Sequence, residues 1–350
     1  MKTALITGIT GQVGSYLAEF LLQKGYKVYG LIRRTSAPNF SRIKQILDKI
    51  ELISGDILDQ KSLIEAVLQS RPDEVYHFAA QSTAGEVAWK TAEFTGNVNG
   101  LGALRMIEAV KLGCEVLGKQ IRYYQTSSAA IFDPAYAGKQ NEKTPLAATT
   151  NPYDTAKLYA HYTAIMYRKK YGMFAVNGLT FSHESPRRGV EFVTKKISME
   201  VAKIALGLSS ELLIGNLDGR RDWGFVGDYV EAMWLSLQQD KPDDYVIATG
   251  ELRSVREFIE EAFNFVGLDW TKYVKQDPKF IRRSADEAPS CGDSTKAREI
   301  LGWKPKVTFK ELVRMMVKHD LEELKNSGQK EAEKIAEQKI DRIKEILVKD

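Results

Sequence analysis

The sequence predicts an α/β protein built on a doubly wound parallel sheet, with a smaller C-terminal region. Two observations carry that prediction. Short apolar runs alternate with single amphipathic helices through the first half of the chain, and after Phe181 the pattern gives way to longer, more basic loops. Residues 3–7 are an apolar run of strand type, followed by glycine punctuation. Tyr16, Leu17, Phe20 and Leu21 then recur at helical spacing across residues 15–23, and Gly25 ends that helix. Residues 28–32 read as a second buried strand, 51–53 as a third, 61–69 as a helix and 74–78 as a fourth strand. A helix over about residues 100–112 precedes a strand at 121–125. Strands joined by single helices imply parallel pairing with crossovers on both faces. The strand-like run 245–248 lets the chain return to the sheet near 225–250. The expected division is therefore a sheet domain over 1–180, a smaller region over 181–320, and a helical extension over 321–350. In that extension Ala332, Ala336, Ile340, Ile343 and Leu347 make an amphipathic stripe, expected to follow a break at Gly328.

Composition narrows the class. The 350 residues carry 50 Lys and Arg against 46 Asp and Glu, a net charge of +4. That surplus suits an enzyme handling phosphorylated substrates and gives no case for nucleic acid. Cys114 and Cys291 are the only cysteines, which excludes a disulfide framework and metal-ligand spacing, so no metal is expected. No apolar run reaches the ~20 residues of a membrane helix, and the N-terminus lacks a signal-peptide pattern. A cytoplasmic protein with no membrane partner is the expectation.

Gly8-x-x-Gly11-x-x-Gly14 follows the first strand and opens the first helix, enclosing Thr10, Gln12 and Val13. Glycine there lets the backbone turn tightly and approach a pyrophosphate, which sits on the helix N-terminus in a Rossmann-like dinucleotide site. The second strand runs into Arg33-Arg34-Thr35-Ser36, with no acid to hold ribose hydroxyls. Two guanidinium groups suit a 2′-phosphate, so NADP is expected rather than NAD. Asp56, with Ile57 beside it, follows the third strand and is placed for the adenine amine. Ala79, Ala80 and Gln81 follow the fourth, where small residues let the backbone pass close to the cofactor.

Tyr153-x-x-x-Lys157 lies on a helix that starts near Pro152, with both side chains on one face. An adjacent ammonium favours phenolate, so the tyrosine can take a proton from an alcohol as hydride leaves its carbon. Lys157 would also hold the nicotinamide ribose. Ser127-Ser128 ends the preceding strand, and Ser128 is the candidate for a hydrogen bond to the reacting hydroxyl.

These residues resemble the extended short-chain dehydrogenase/reductase superfamily, and closely its GDP-mannose 4,6-dehydratase family. The similar segments are Gly8 to Gln12, Ala79 to Ser82, Pro152-Tyr153 with Ala156 to Ala160, His183-Glu184-Ser185-Pro186-Arg187-Arg188-Gly189, Gly215 to Asp218, Arg221 to Gly224, Pro242 to Gly250, and Leu301 to Pro305. The resemblance implies a homo-oligomer that binds NADP tightly and oxidises a GDP-sugar first at C4. It assigns His183 and Arg188 to the cofactor. To the nucleotide-sugar it assigns Ser82, Ser128, Glu184, Arg187, Lys195, Arg221 and Arg283, with Arg188 near the same diphosphate. Several fixed cations are what a diphosphate requires.

The chain also departs from that family. The family's acid/base string reads Ser-Thr-Ser-Glu, whereas this chain reads Ser127-Ser128-Ala129-Ala130. Ser128 can replace the threonine hydroxyl, but Ala130 cannot move a proton, and losing a positioned acid/base costs ~10²–10⁴-fold in rate. Thr83 stands for the family's histidine, Ser182 for an asparagine and Val13 for an aspartate. The run through Ile131-Phe132 is similar to nucleotide-sugar 4-epimerases. The expected activity is therefore C4 oxidation or epimerisation of a GDP-sugar without 5,6-elimination. Two alternatives stay open: a true dehydratase in which Glu86 or Asp133 substitutes for the glutamate, and a non-catalytic NADP-sensing protein.

Overall fold

The structure is a computed structural model that describes residues 1–82, 86–278 and 290–347, and side chains to residue 328 except Glu86. In chain order the elements begin β1 (Thr3–Thr7), α1 (Gln12–Gln23), β2 (Lys27–Ile32), β3 (Glu51–Ser54), α2 (Gln60–Ser70), β4 (Glu74–His77), α3 (Glu86–Lys90) and α4 (Ala92–Gly96). They continue with α5 (Gly102–Leu117), β5 (Arg122–Thr126), α6 (Pro152–Tyr171), β6 (Ala175–Thr180), β7 (Ser182–Glu184), α7 (Val193–Ala205) and β8 (Leu212–Ile214). The last are β9 (Arg220–Phe225), α8 (Val226–Leu237), β10 (Asp244–Ile247), β11 (Leu252–Ser254), α9 (Val255–Phe265), β12 (Val274–Gln276), α10 (Thr295–Leu301) and α11 (Phe309–Leu347). Two compact units share them. The first takes Met1–Arg187, Gly219–Arg253 and the stretch ending at Thr308; the second takes Arg188–Asp218, a stretch from Ser254, and α11.

In the first unit a seven-stranded sheet has the order β10-β6-β5-β4-β1-β2-β3. Its pairings are parallel throughout. Strand alternation sorts the core to both faces: Ala4 and Ile6 of β1 join one apolar cluster, and Leu5 between them joins the other. On one face pack Leu17, Ala18 and Leu21 of α1 with Val230 and Met233 of α8; on the other pack Leu63 and Val67 of α2 with Met106 and Val110 of α5. Strands covered on both faces have no polar side, and all six residues of β6 are buried. The chain order reverses between β1 and β4, and a crevice at the C-terminal ends of the strands flanking such a reversal is where this architecture takes ligands.

The second unit is mainly helical. Ile197 and Val201 of α7, Phe258 and Ile259 of α9, and Leu312, Val313 and Met316 of α11 are buried, and these three helices pack on one another. A parallel pair, β8 with β12, lies alongside. Contrary to the expected break at Gly328, α11 runs unbroken from Phe309 to Leu347. One glycine inside a helix costs only ~1 kcal/mol relative to alanine, and the Glu- and Lys-rich flanks are good helix formers. The apolar stripe from Ala332 to Leu347 lies beyond the described side chains. Among the described residues no helix is long and apolar enough to cross a membrane.

Candidate active site

The loop after β1 is shaped by the absence of side chains. Gly8 has φ +71°, and a Cβ there would stand 2.9 Å from the Ala79 nitrogen and 3.0 Å from the Phe78 carbonyl carbon. The chain leaving β4 thus crosses directly over Gly8 at Phe78 and Ala79. A Cβ on Gly14 would lie 2.4 Å from the Gly8 carbonyl oxygen and 2.7 Å from the Ile9 Cα, so α1 sits on this loop only because residue 14 is glycine. Gly11 is the N-cap of α1, with no side-chain cap and no acidic residue in the first turn. The first-turn amides therefore keep their donors for an anion. These features fit a dinucleotide pyrophosphate.

The neighbouring expected residues have mixed placements. Gln12 turns away from the loop: its Nε2 donates to the His183 carbonyl at 3.0 Å and its Oε1 accepts from Ser185 Oγ at 2.8 Å. Val13 packs against the α1–α8 core. The Thr10 carbonyl accepts a long 3.5 Å bond from Arg42, a residue that sequence reasoning missed. Arg33 and Arg34 are exposed just past β2, with no ion pair among the described residues. Asp56 commits one carboxylate oxygen to the Leu58 amide at 2.9 Å, and Ile57 is buried.

At the end of β4 a pair that sequence reasoning missed, Thr7 and His77, stands near Lys157. Thr7 Oγ1 accepts from the Phe78 and Ala79 amides at 3.1 and 3.0 Å, so its own proton is left for His77 Nδ1 at 2.8 Å. His77 is then neutral, with its proton on Nε2. Burial first and the Lys157 charge second push its pKa down to about 3. A histidine closing an apolar strand was the only sequence signal for it. Gln81 is architectural: its Nε2 donates to Thr91 Oγ1 at 2.9 Å and its Oε1 accepts from Thr95 Oγ1 at 2.7 Å. Its backbone pairs with the Asn99 amide at 2.8 and 3.0 Å. Ser82 is exposed.

Tyr153 and Lys157 are placed by the start of α6. Asn151 caps it, accepting from the amides of Tyr153 at 2.9 Å and Asp154 at 3.2 Å, and Pro152 opens the first turn. Lys157 is buried, donates to the Thr126 carbonyl at 3.0 Å, and lies 5.8 Å from the centre of the Tyr153 ring. Burial lowers its pKa to about 8. The end of β5 faces this helix. Ser128 Oγ accepts from the Ala130 amide at 3.1 Å and keeps its proton for donation. Ala130 is exposed, with no ionisable group of its own. Asp133 accepts from the Ala135 amide at 2.9 Å, and the Glu86 side chain lies outside the described residues.

The expected phosphate cations divide sharply. Arg187 stacks on Tyr16 with 4.3 Å to the ring centre, bonds Ser15 Oγ at 3.1 Å and pairs with Glu19 at 2.6 Å. Lys195, in the second unit, is buried and paired with Asp320, which also accepts from Ser198 Oγ at 2.6 Å. Each of these two charges thus already has a carboxylate partner. Arg188 lies 3.5 Å from the centre of the Phe192 ring. Arg221 donates to the Arg220 carbonyl at 2.7 Å. Beside it buried Asp222 gathers the Thr249 amide and hydroxyl and the amides of Gly250 and Gly292. His183 donates from Nδ1 to the Phe181 carbonyl at 2.7 Å, and Glu184 is buried. Arg283 lies outside the described residues. An apolar hollow of about 650 Å³ is lined by Trp89, Leu101, Ala156 and Tyr159. Asn151 and Pro152 at the start of α6 also line it, whereas Tyr153 and Lys157 do not.

The family model for GDP-mannose 4,6 dehydratase matches residues 5–316. GDP-mannose 4,6 dehydratase 2 of Arabidopsis thaliana is 48% identical over 329 residues, covering 92% of this chain and 87% of that protein. The Homo sapiens GDP-mannose 4,6 dehydratase is 44% identical over 346 residues, covering 92% of each. Among solved structures, dTDP-glucose 4,6-dehydratase from Bacillus anthracis in complex with NAD superposes with a TM-score of 0.78 at 21% identity, covering 91% of this chain and 96% of that one. With the glycine cradle, the Tyr153–Lys157 pair and a match across nearly the whole chain, the protein belongs to the GDP-mannose 4,6-dehydratase family of enzymes.

Proposed function

We propose that the protein oxidises C4 of a GDP-hexose with NADP and restores or releases the 4-keto sugar without 5,6-elimination. The observation that carries this reading is Ala130, exposed at the position where the family pattern has its acid/base glutamate. A nicotinamide cofactor, when bound, supplies hydride acceptance and return. Gly8, Gly11 and Gly14 would hold its pyrophosphate, Arg33 and Arg34 the 2′-phosphate, and Lys157 the ribose. The Tyr153 phenolate oxygen, favoured by the nearby Lys157 ammonium, takes the proton of the sugar's C4 hydroxyl. Ser128 donates to the same oxygen and fixes its orientation. Return of the hydride to the opposite face of C4, with Tyr153 giving its proton back to the C4 oxygen, would yield the 4-epimer. Ser82, Glu184 and Arg221 are the nucleotide-sugar contacts we assign within the first unit.

Supporting the expected homo-oligomer, Trp89, Phe94, Leu101, Tyr159, Tyr162 and Met166 expose apolar surface on α3 to α6. The 48% identity to a protein named as a dehydratase favours a second reading, true 4,6-dehydration. Asp133 supports it weakly, since one of its oxygens already caps a turn. Incubation with GDP-mannose and NADP, followed by mass spectrometry, separates the two. An isomer or a ketone two hydrogens lighter supports the first reading, and a product lighter by one water overturns it. Tight NADP binding with no turnover of any GDP-sugar would leave the non-catalytic sensor.

A further inference from the structure

Three residues on one face of α6 point along the catalytic edge of the sheet: Tyr153, Lys157 and, one turn further, His161. Only the first two have a place in the chemistry above. His161 is 3% exposed, and its Nδ1 lies 3.1 Å from Oγ of Ser127, which is 1% exposed. Successive residues at the end of β5 thus meet successive turns of α6. The Thr126 carbonyl takes Lys157 at 3.0 Å, Ser127 takes His161, and Ser128 follows at the substrate side. Ser127 is held from behind as well, its amide donating to the Gly178 carbonyl at 3.0 Å. His161 has its own anchor: the Asn177 amide donates to its carbonyl at 3.2 Å and to Asp244 at 2.9 Å, and Arg168 pairs with Asp244 at 3.0 Å.

We propose that His161 is a positioning residue: through Ser127 it fixes the end of β5 against α6, so that the Ser128 hydroxyl keeps its register with Tyr153 and Lys157. The proposal rests on the catalytic roles assigned above to those three residues. A buried polar pair is costly to keep unless both partners are satisfied, and a satisfied one specifies a single geometry where an apolar pair would allow several. A hydroxyl that drifts by an ångström at the reacting oxygen costs rate without costing binding.

The test compares His161→Leu, His161→Asn, Ser127→Ala and the double variant His161→Leu/Ser127→Ala in the full chain. Leucine removes the hydrogen bond, whereas the asparagine amide reaches the Nδ1 position. Expected for His161→Leu is a kcat for GDP-mannose turnover lower by about 10- to 100-fold with KM little changed. Asparagine recovers most of that loss, and the double variant is no slower than Ser127→Ala. A wild-type kcat in His161→Leu, or a loss that asparagine does not recover, overturns the proposal. Hydrogen exchange of the Ser128 to Ala130 amides is followed in the same variants. It should quicken in His161→Leu and Ser127→Ala and not in His161→Asn, and unchanged exchange also overturns the proposal. If the wild-type protein turns over no GDP-mannose, the functional reading alone falls, and the exchange data still decide the positioning.

Discussion

Two loops at the same edge of the sheet are built on opposite principles. The loop after β1 is backbone: Gly8 and Gly14 leave room for Ala79 and α1, and any Cβ would collide with main-chain atoms at 2.4 to 2.9 Å. The loop after β5 is side chain: Ser128 caps a short turn, and Ala130 beside it is exposed. A cradle made of main chain cannot be altered without rebuilding the loop. A reaction set by exposed side chains can change with one residue and leave the fold intact. A member of a dehydratase family can therefore keep its cofactor site whole while losing the group its elimination needs.

That contrast can be broken from either loop. The largest expected effect is at the chemistry. Tyr153→Phe should lower steady-state turnover ~10²–10⁴-fold while NADP binding, followed by fluorescence, persists. If turnover survives, the side-chain half of the comparison fails. Gly14→Val tests the other half: overpacking against Gly8 and Ile9 should destabilise by ~1–3 kcal/mol in denaturant unfolding and abolish NADP binding. Ala130→Glu sharpens the contrast, because restoring a carboxylate at an exposed site should leave the melting temperature unchanged and produce a compound lighter by one water. Arg33→Ala, removing a charge-assisted bond worth ~1.5–3 kcal/mol, should raise the KM for NADP at least tenfold and leave that for NAD alone.

The smallest effect is in pH. Lys157 is charged below about 8 and neutral above it, so kcat/KM should fall on the alkaline side near that value. The stability sign runs the other way. Because the folded-state pKa is depressed from 10.5 to about 8, burying the ammonium costs stability below about 8, and that cost is relieved as pH rises towards 10.5. Denaturant midpoints across that window should rise if no other group dominates.

Local pattern made much of this legible. The alternation of apolar runs and amphipathic helices corresponds to the parallel strands, the glycine triplet to the turn at β1, and the Tyr-x-x-x-Lys spacing to one face of α6. Each depends on residues within a turn or two of one another, so backbone sterics and helical periodicity suffice to read them. The basic residues were a different matter. Arg187 and Lys195 carry the same positive charge as Arg33 and Arg34, yet their charges are paired with Glu19 and Asp320, 168 and 125 positions away along the chain.

The same holds for the Gln81 network, the Thr7–His77 bond and the depressed pKa of Lys157. The sequence by itself determined which elements form, where a glycine-lined turn opens the first helix and which face of α6 carries Tyr153 and Lys157, because those follow from short-range backbone geometry. Only the tertiary structure decided which charges stay available and which side chains meet. A partner's identity and a group's burial are properties of the packed chain, set by contacts that no local spacing encodes.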